Sequence, residues 1–322
     1  MKASFFKTSG AASIIYLCLG YYIVMAFVAP GFFTVNNTWN LLYNLLPLLV
    51  IAIGQTFVMI TAGIDLSITS IIAVTSITGG YLMSSDTAIF DSPESLIFGV
   101  LGMLLVGISI GTLNGIAVAR FGMPAFMVTL TTMMLFSGLA IWLTQSQNIY
   151  NLPEAFVNMP YSSFLGIPTP VYLGVIVLGL SYFLLNKTLL GEWIYAIGLN
   201  VETSRISGVK VARIIIFVYA FSGFCAAIGA IFYTARLETG SPVMGQNILL
   251  DVIGAVVIGG TSLFGGKGKI IWTFFGAFFM VLLDNSLNLM SLSFFLIMIV
   301  KGSVILIAAL LNANREKSLR TT

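Results

Sequence analysis

Apolar runs of about 20 residues, each closed by polar, glycine or proline residues, recur along this chain, and that is the length a helix needs to cross a bilayer. Read this way, the pattern predicts ten spans, at 12–31, 41–61, 66–83, 95–119, 124–144, 170–186, 212–234, 248–263, 270–289 and 291–311. The runs are too long and too continuous for the alternation of a barrel strand. In lipid, every backbone polar group must also be satisfied within the protein. The predicted fold is therefore all-α: one transmembrane domain over residues 1–322, a polytopic bundle interrupted by one substantial polar loop at 186–213. The eighth span is short and broken by Gly254, Gly259 and Gly260, so a half-helix pair or a re-entrant element fits it as well as a plain span. Residues 1–31 do not read as a cleaved leader. The apolar run is long, no small-residue cleavage site follows it, and Pro30-Gly31-Phe32-Phe33 looks like the exit of a first span.

Composition agrees with lipid as the main solvent. Hydrophobic residues make up 58% of the 322 positions and charged residues 8%, against about a quarter charged in soluble domains. The few charges orient the bundle. With the N-terminus inside, Lys2, Lys7, Arg120, Lys187, Arg205, Lys210, Arg213, Lys267, Lys269, Arg315, Lys317 and Arg320 all fall on the cytoplasmic side. Arg236 alone falls outside and Lys301 lies within the last span, while Asp86, Asp91, Glu94, Glu154 and Glu238 reach the outer loops. Ten spans with both termini cytoplasmic follow. The net charge of +3 is dispersed, which excludes a nucleic-acid partner. Cys18 and Cys225 lie far apart inside apolar runs and read as packing residues. Histidine is absent, which removes the commonest general base and metal ligand and argues against an enzyme.

Ionisable residues inside spans cost about 2.5–3.5 kcal/mol on insertion scales and so need a reason. Asp65, Asp251, Asp284 and Lys301 qualify. In Ala62-Gly63-Ile64-Asp65-Leu66-Ser67 a glycine breaks the preceding run; Asp65 either caps the next helix or stands with Ser67 beside a solute pathway. Asp251 is placed to cap the eighth span, and Asp284 and Lys301 lie near helix ends or pair inside the bundle. Gly265-Gly266-Lys267-Gly268-Lys269 lacks the spacing of a phosphate-binding loop, so no cofactor is expected in this chain and any ATP belongs to a partner. Within the polar loop, Asn200 to Val209 forms a short amphipathic stretch, either a connector or a docking element for a cytoplasmic protein. Ile72-Ala73-Val74 leading to Gly79-Gly80 is echoed by Gly254-Ala255-Val256 leading to Gly259-Gly260. Leu113-Asn114 is likewise echoed by Leu287-Asn288, a hint of internal duplication.

Several of these segments resemble the ribose-type permease family of ATP-binding-cassette importers. In the first half they are Thr61-Ala62-Gly63-Ile64-Asp65-Leu66-Ser67, Asn114-Gly115 and Thr129-Leu130-Thr131-Thr132-Met133. In the second half they are Tyr195-Ala196-Ile197-Gly198-Leu199-Asn200, Ser207-Gly208-Val209, Ala235-Arg236-Leu237 and the run from Ala255 to Leu263 with Gly265-Gly266-Lys267-Gly268. The likeness spans nearly the whole chain. It departs at Glu202 and Thr203, where the family usually has alanines, at Leu250, where it has an acidic residue, and near Asn285-Ser286, where it has an Asn-Gly pair.

The resemblance implies a permease dimer, a homo- or heterodimer, in the bacterial inner membrane. It also implies cytoplasmic ATPase subunits and a periplasmic or lipid-anchored sugar-binding protein. The segment 198–209 matches the family's ATPase-contacting loop, so Asn200, Arg205, Ser207, Gly208 and Val209 are the expected coupling residues. For a ribose-like monosaccharide moved by alternating access, Asp65, Ser67, Thr129 and Asn285 are the candidate pathway residues, since hydroxyls suit Ser, Thr, Asn and backbone partners with few fixed charges. The rival reading is an ion-coupled secondary transporter using Asp65 or Asp284, and a third is a membrane scaffold that moves nothing.

Overall fold

The computed structural model describes the backbone of residues 13–87 and 94–320. Lys2, Lys7 and Asp91, and the side chains of Arg315, Lys317 and Arg320, all used in the charge argument, lie outside the described residues. The helices in order are α1 (Ser13–Val28), α2 (Val35–Ile60), α3 (Ile68–Met83), α4 (Glu94–Arg120), α5 (Ala125–Thr144), the single turn α6 (Glu154–Val157), α7 (Thr169–Lys187), α8 (Leu189–Leu199), α9 (Val201–Ile206), α10 (Val211–Leu237), α11 (Ile248–Ile258), α12 (Ile270–Leu289) and α13 (Phe294–Arg320). The only sheet among the described residues is a two-stranded hairpin, Ser163–Phe164 against Ile167–Pro168, which the all-α reading did not include.

Seven of these helices, α2, α4, α5, α7, α10, α12 and α13, are long and apolar enough to cross a membrane. Three of the ten expected spans correspond to shorter helices: α1, α3 and α11. At 1.5 Å per residue, the 11 residues of α11 reach only about 16 Å, roughly half the hydrocarbon thickness. Gly259 and Gly260 end it, and the chain continues to Lys269 without helix although Thr261 and Ser262 remain buried. The eighth segment is thus a half-helix followed by an irregular stretch whose Thr261, Ser262 and Gly265 are buried while Phe264, Lys267 and Lys269 are exposed. Non-helical backbone at that depth is tolerated only where protein covers it.

The core is built on α2. Every residue from Leu45 to Ile60 is buried, as expected for a helix that is apolar all round. α13 is the opposite, with only 6% of its apolar window buried, so its surface faces lipid or another subunit. The tightest helix pair is α4 with α10. Gly107, Gly111 and Gly115 recur every four residues on α4, and a Cβ on Gly107 would lie 2.6 Å from the Gly223 carbonyl oxygen of α10. Without side chains there, dispersion and backbone contact take the place of the hydrophobic effect that lipid removes.

The duplication hint has a counterpart in packing. α3 packs on α4 and α5 as α11 packs on α12 and α13, and α10 packs on α3 and α4 as α2 packs on α11 and α12. The motif matches pair α3 with α11 and α4 with α12, the same exchange.

Candidate functional site

Two helix breaks meet at one end of the bundle. α2 stops at Thr61, Ala62 takes a positive φ of 62°, and α3 resumes at Ile68. Asp65 in this break is fully buried. Its Oδ1 accepts from the Ser67 N–H at 3.0 Å and the Ser67 hydroxyl at 2.6 Å, and its Oδ2 accepts from the Ser222 hydroxyl of α10 at 2.9 Å. The network continues outward: Asn114 of α4 donates to the Ser67 oxygen at 2.8 Å, and Thr132 of α5 donates to Asn114 Oδ1 at 2.7 Å. Thr129 donates to the Ile64 carbonyl at 3.1 Å. The structure therefore brings together Asp65, Ser67 and Thr129. It closes them into a knot that joins α3, α4, α5 and α10, and the carboxylate needs no countercharge because each oxygen has donors.

The second break, 259–269, docks on the first. The Gly266 N–H donates to the Ile60 carbonyl at 2.8 Å, and the Ser262 N–H closes onto the Lys267 carbonyl at 3.0 Å. α8 is clamped to the same place. Tyr195 donates its hydroxyl to the Gly268 carbonyl at 2.6 Å, and burial pushes that phenol's pKa up, which keeps it a donor. Gly198 faces the Ile60 oxygen and the Gly266 nitrogen so closely that a Cβ would overlap both.

The polar loop contains two helices where the sequence suggested one amphipathic stretch. Asn200 separates them and caps α9, its Oδ1 accepting from the Thr203 N–H at 2.9 Å. Gly208 ends α9 with φ +85°, and the Val209 N–H returns to the Ser204 carbonyl at 3.0 Å. Ser207 is exposed and donates its hydroxyl to the Thr203 carbonyl one turn back, and Arg205 pairs with Glu202 at 2.9 Å on the exposed face. Leu199 and Ile206, 71% and 86% exposed, present apolar surface beside these charges.

Asn285 is not part of either cluster. It lies near the far end of α12 and exchanges amide hydrogen bonds with Asn37 of α2, at 2.8 and 3.0 Å. Next to it, Asp284 joins Lys301 at 2.6 Å, and Lys301 also reaches Asp251 at 3.0 Å. Pairing inside the bundle, one of the two placements expected for Asp284 and Lys301, is what the structure shows, and Asp251 joins them in one chain across α11, α12 and α13. Asp251 is in the first turn of α11, where its acidic side chain also suits the helix dipole.

The sequence reading missed several members of these sets. Sequence alone gives Asn114 only as part of a repeat and of the family resemblance, and it gives no sign of Ser222, Asn37 or Asn44, because hydroxyls and uncharged amides do not stand out in a scan for ionisable residues. Asn44 accepts from Arg236 at 2.5 Å and so anchors the basic residue that ends α10. Gln55, buried in the middle of α2, has no hydrogen-bond partner for either amide atom among the described residues.

Broken helices braced by buried polar networks, with the intramembrane charges paired inside the bundle, define a multi-pass membrane transport protein. Residues 37–310 match the family described as branched-chain amino acid transport system / permease component. The chain is 37% identical over 291 residues to the ribose import permease protein of Haemophilus influenzae, covering 89% of this chain and 88% of that one. It is 38% identical to the ribose import permease protein of Bacillus subtilis, over 92% and 90% of the two chains. With the L-arabinose transport system permease protein of Escherichia coli the figures are 33%, 93% and 89%. No solved structure matches the chain. The chain therefore belongs to the ribose-type permease family of ATP-binding-cassette importers, a family of membrane permease subunits and not of enzymes.

Proposed function

We propose that this chain is the permease subunit of an importer that carries a ribose-like monosaccharide across the bacterial inner membrane by alternating access. It works with a second permease subunit, two cytoplasmic ATPase subunits that bind the ATP, and a periplasmic or lipid-anchored sugar-binding protein. The observation that carries the reading is the clamp of α8, which leads directly into α9, onto the end of α2. An ATPase that grips the exposed apolar residues Leu199 and Ile206 pulls, through Gly198, Ile60 and Gly266, on the break that holds Asp65. Arg205, Lys210 and Arg213 line a neighbouring cavity of about 360 Å³ and give that surface positive charge for an acidic partner segment. The names of the relatives support a sugar as the solute, ribose before arabinose by similarity.

In this reading the chain crosses the membrane ten times with both termini cytoplasmic. α3 and α11 complete their crossings through the partly buried irregular stretches 61–67 and 259–269. Asp65, Ser67 and Thr129 brace the moving break, while Asn285 borders the outer half of the pathway. The test is reconstitution with the ATPase and binding protein in liposomes, where D-ribose uptake is expected to require ATP. Uptake driven by a proton or sodium gradient without ATP sinks the reading in favour of an ion-coupled carrier. For topology, a cysteine at Glu154 is expected to react with an impermeant maleimide from outside and one at Lys210 only after permeabilisation; reaction of both from one side overturns the ten-span arrangement.

A further inference from the structure

At the end of the bundle opposite the breaks, a cavity of about 470 Å³ lies between the first turns of α2 and the turn at 161–168. Its lining includes Trp39, Tyr43 and Tyr161 with Asn36, Asn40 and Ser163, and no charged residue. Tyr43 and Tyr161 meet edge to face at 5.7 Å and fix one wall. Among the described residues, the side chains of Asn36, Trp39, Asn40 and Ser163 and the two tyrosine hydroxyls have no hydrogen-bond partner, so their polar atoms remain available. A small-molecule site has this combination of concavity, aromatic surface and a few convergent polar groups.

The chemistry narrows the ligand. Flat aromatic faces favour a ring with an apolar C–H face. Amides supply one donor group and one acceptor, which matches hydroxyls that both give and take hydrogen bonds. An anion or cation would enter without a countercharge, and a hydrocarbon would strand the amides. We propose that this cavity is a low-affinity monosaccharide site at the outer mouth of the permease, which receives the sugar released by the binding protein. The inference rests on the sugar-import reading and its orientation. Asn36, Asn40 and Asn44 follow one another every four residues on a single stripe of α2, about 12 Å long, which leads from the cavity to Arg236. A site at the mouth must hold the solute long enough to enter and weakly enough to leave.

The experiment uses the permease with its ATPase in nanodiscs for ligand-observed saturation-transfer NMR, without binding protein, and the full transporter in liposomes for uptake. The probes are D-ribose, D-allose and L-arabinose. With the transported sugar, Trp39→Leu and Asn40→Leu are expected to lower saturation transfer and subsaturating uptake about tenfold, and Trp39→Phe to keep both within about threefold of wild type. Co-purification of the ATPase checks assembly, and Asn40→Leu carries the test should Trp39→Leu fail to assemble. Wild-type uptake and saturation transfer in both leucine variants overturns the site. Loss of uptake with unchanged saturation transfer also overturns it and makes the surface a dock for the binding protein. A wild-type transporter that moves none of the three sugars, by contrast, sinks the sugar-import reading itself and this inference with it.

Discussion

At the scale of single residues, Asp65 is a buried carboxylate stabilised by neutral donors. Hydrogen bonds to a charged group contribute about 1.5–3 kcal/mol each, and three of them offset a large part of its desolvation. Asp65→Asn keeps one oxygen for the two Ser67 donors and turns its amide nitrogen toward the Ser222 oxygen, which accepts as readily as it donates. The variant is expected to assemble normally and to transport at about half the wild-type rate or better. Asp65→Leu leaves the Ser67 and Ser222 donors buried without partners and is expected to reduce the yield of assembled protein several-fold, measured by size-exclusion of detergent extracts. Normal assembly of Asp65→Asn with no uptake would give the charge itself a role in transport. The sequence exposed Asp65 because a charge stands out among apolar neighbours. It did not join Asp65 to Ser222, 157 positions away, or Ser67 to Asn114, 47 positions away, because polar residues that meet only through the fold carry no local signature.

At the scale of elements, helix ends set by proline, glycine or charge were legible and ends set by uncharged amides were not. The ninth expected span, 270–289, coincides with α12, and 124–144 nearly coincides with α5, which begins after Pro124. The second expected span starts at 41, whereas α2 begins at Val35 with Thr34 as its cap, because Asn36, Asn37 and Asn40 lower the local hydropathy without breaking a helix. Hydropathy therefore leaves out the first turns of α2, although they carry the outer polar stripe. α13 poses a different question, since so little of it is buried. Its attachment rests in part on Lys301, whose side chain is 16% exposed and bonded to Asp251 and Asp284. Lys301→Met strands Asp251 and is expected to cost about 2–3 kcal/mol. Adding Asp251→Asn removes the stranded charge and is expected to restore most of that, while Asp284, the most exposed of the three, rehydrates. Thermal midpoints of the two single variants and the double variant in detergent measure the coupling. Additive losses would mean that the triad contributes nothing to holding α13.

At the scale of the whole molecule, the coupling proposal separates two surfaces that a connector would not distinguish. Ile206 is on the outside of α9 and touches the ATPase in the proposed assembly, whereas Gly198 is on the inside of α8 and touches only this chain, at Ile60 and Gly266. Gly208 belongs to neither contact. A Cβ there meets nothing within 4 Å, so a substitution strains only the backbone at φ +85°. Ile206→Asp is expected to abolish co-purification of the ATPase and, with it, uptake, because a charge replaces apolar surface that the partner covers. Gly198→Ala is expected to leave co-purification intact, since the docking face is unchanged. Its methyl wedges α8 away from the α2 break, so sugar-stimulated ATP hydrolysis is expected to continue while uptake falls at least tenfold. Gly208→Val is expected to weaken both in parallel by distorting the α9 exit. The diagnostic result is the contrast between the first two variants. If Gly198→Ala preserves the ratio of sugar moved to ATP hydrolysed, force does not pass through the Gly198, Ile60 and Gly266 contact, and the clamp only ties the loop to the bundle.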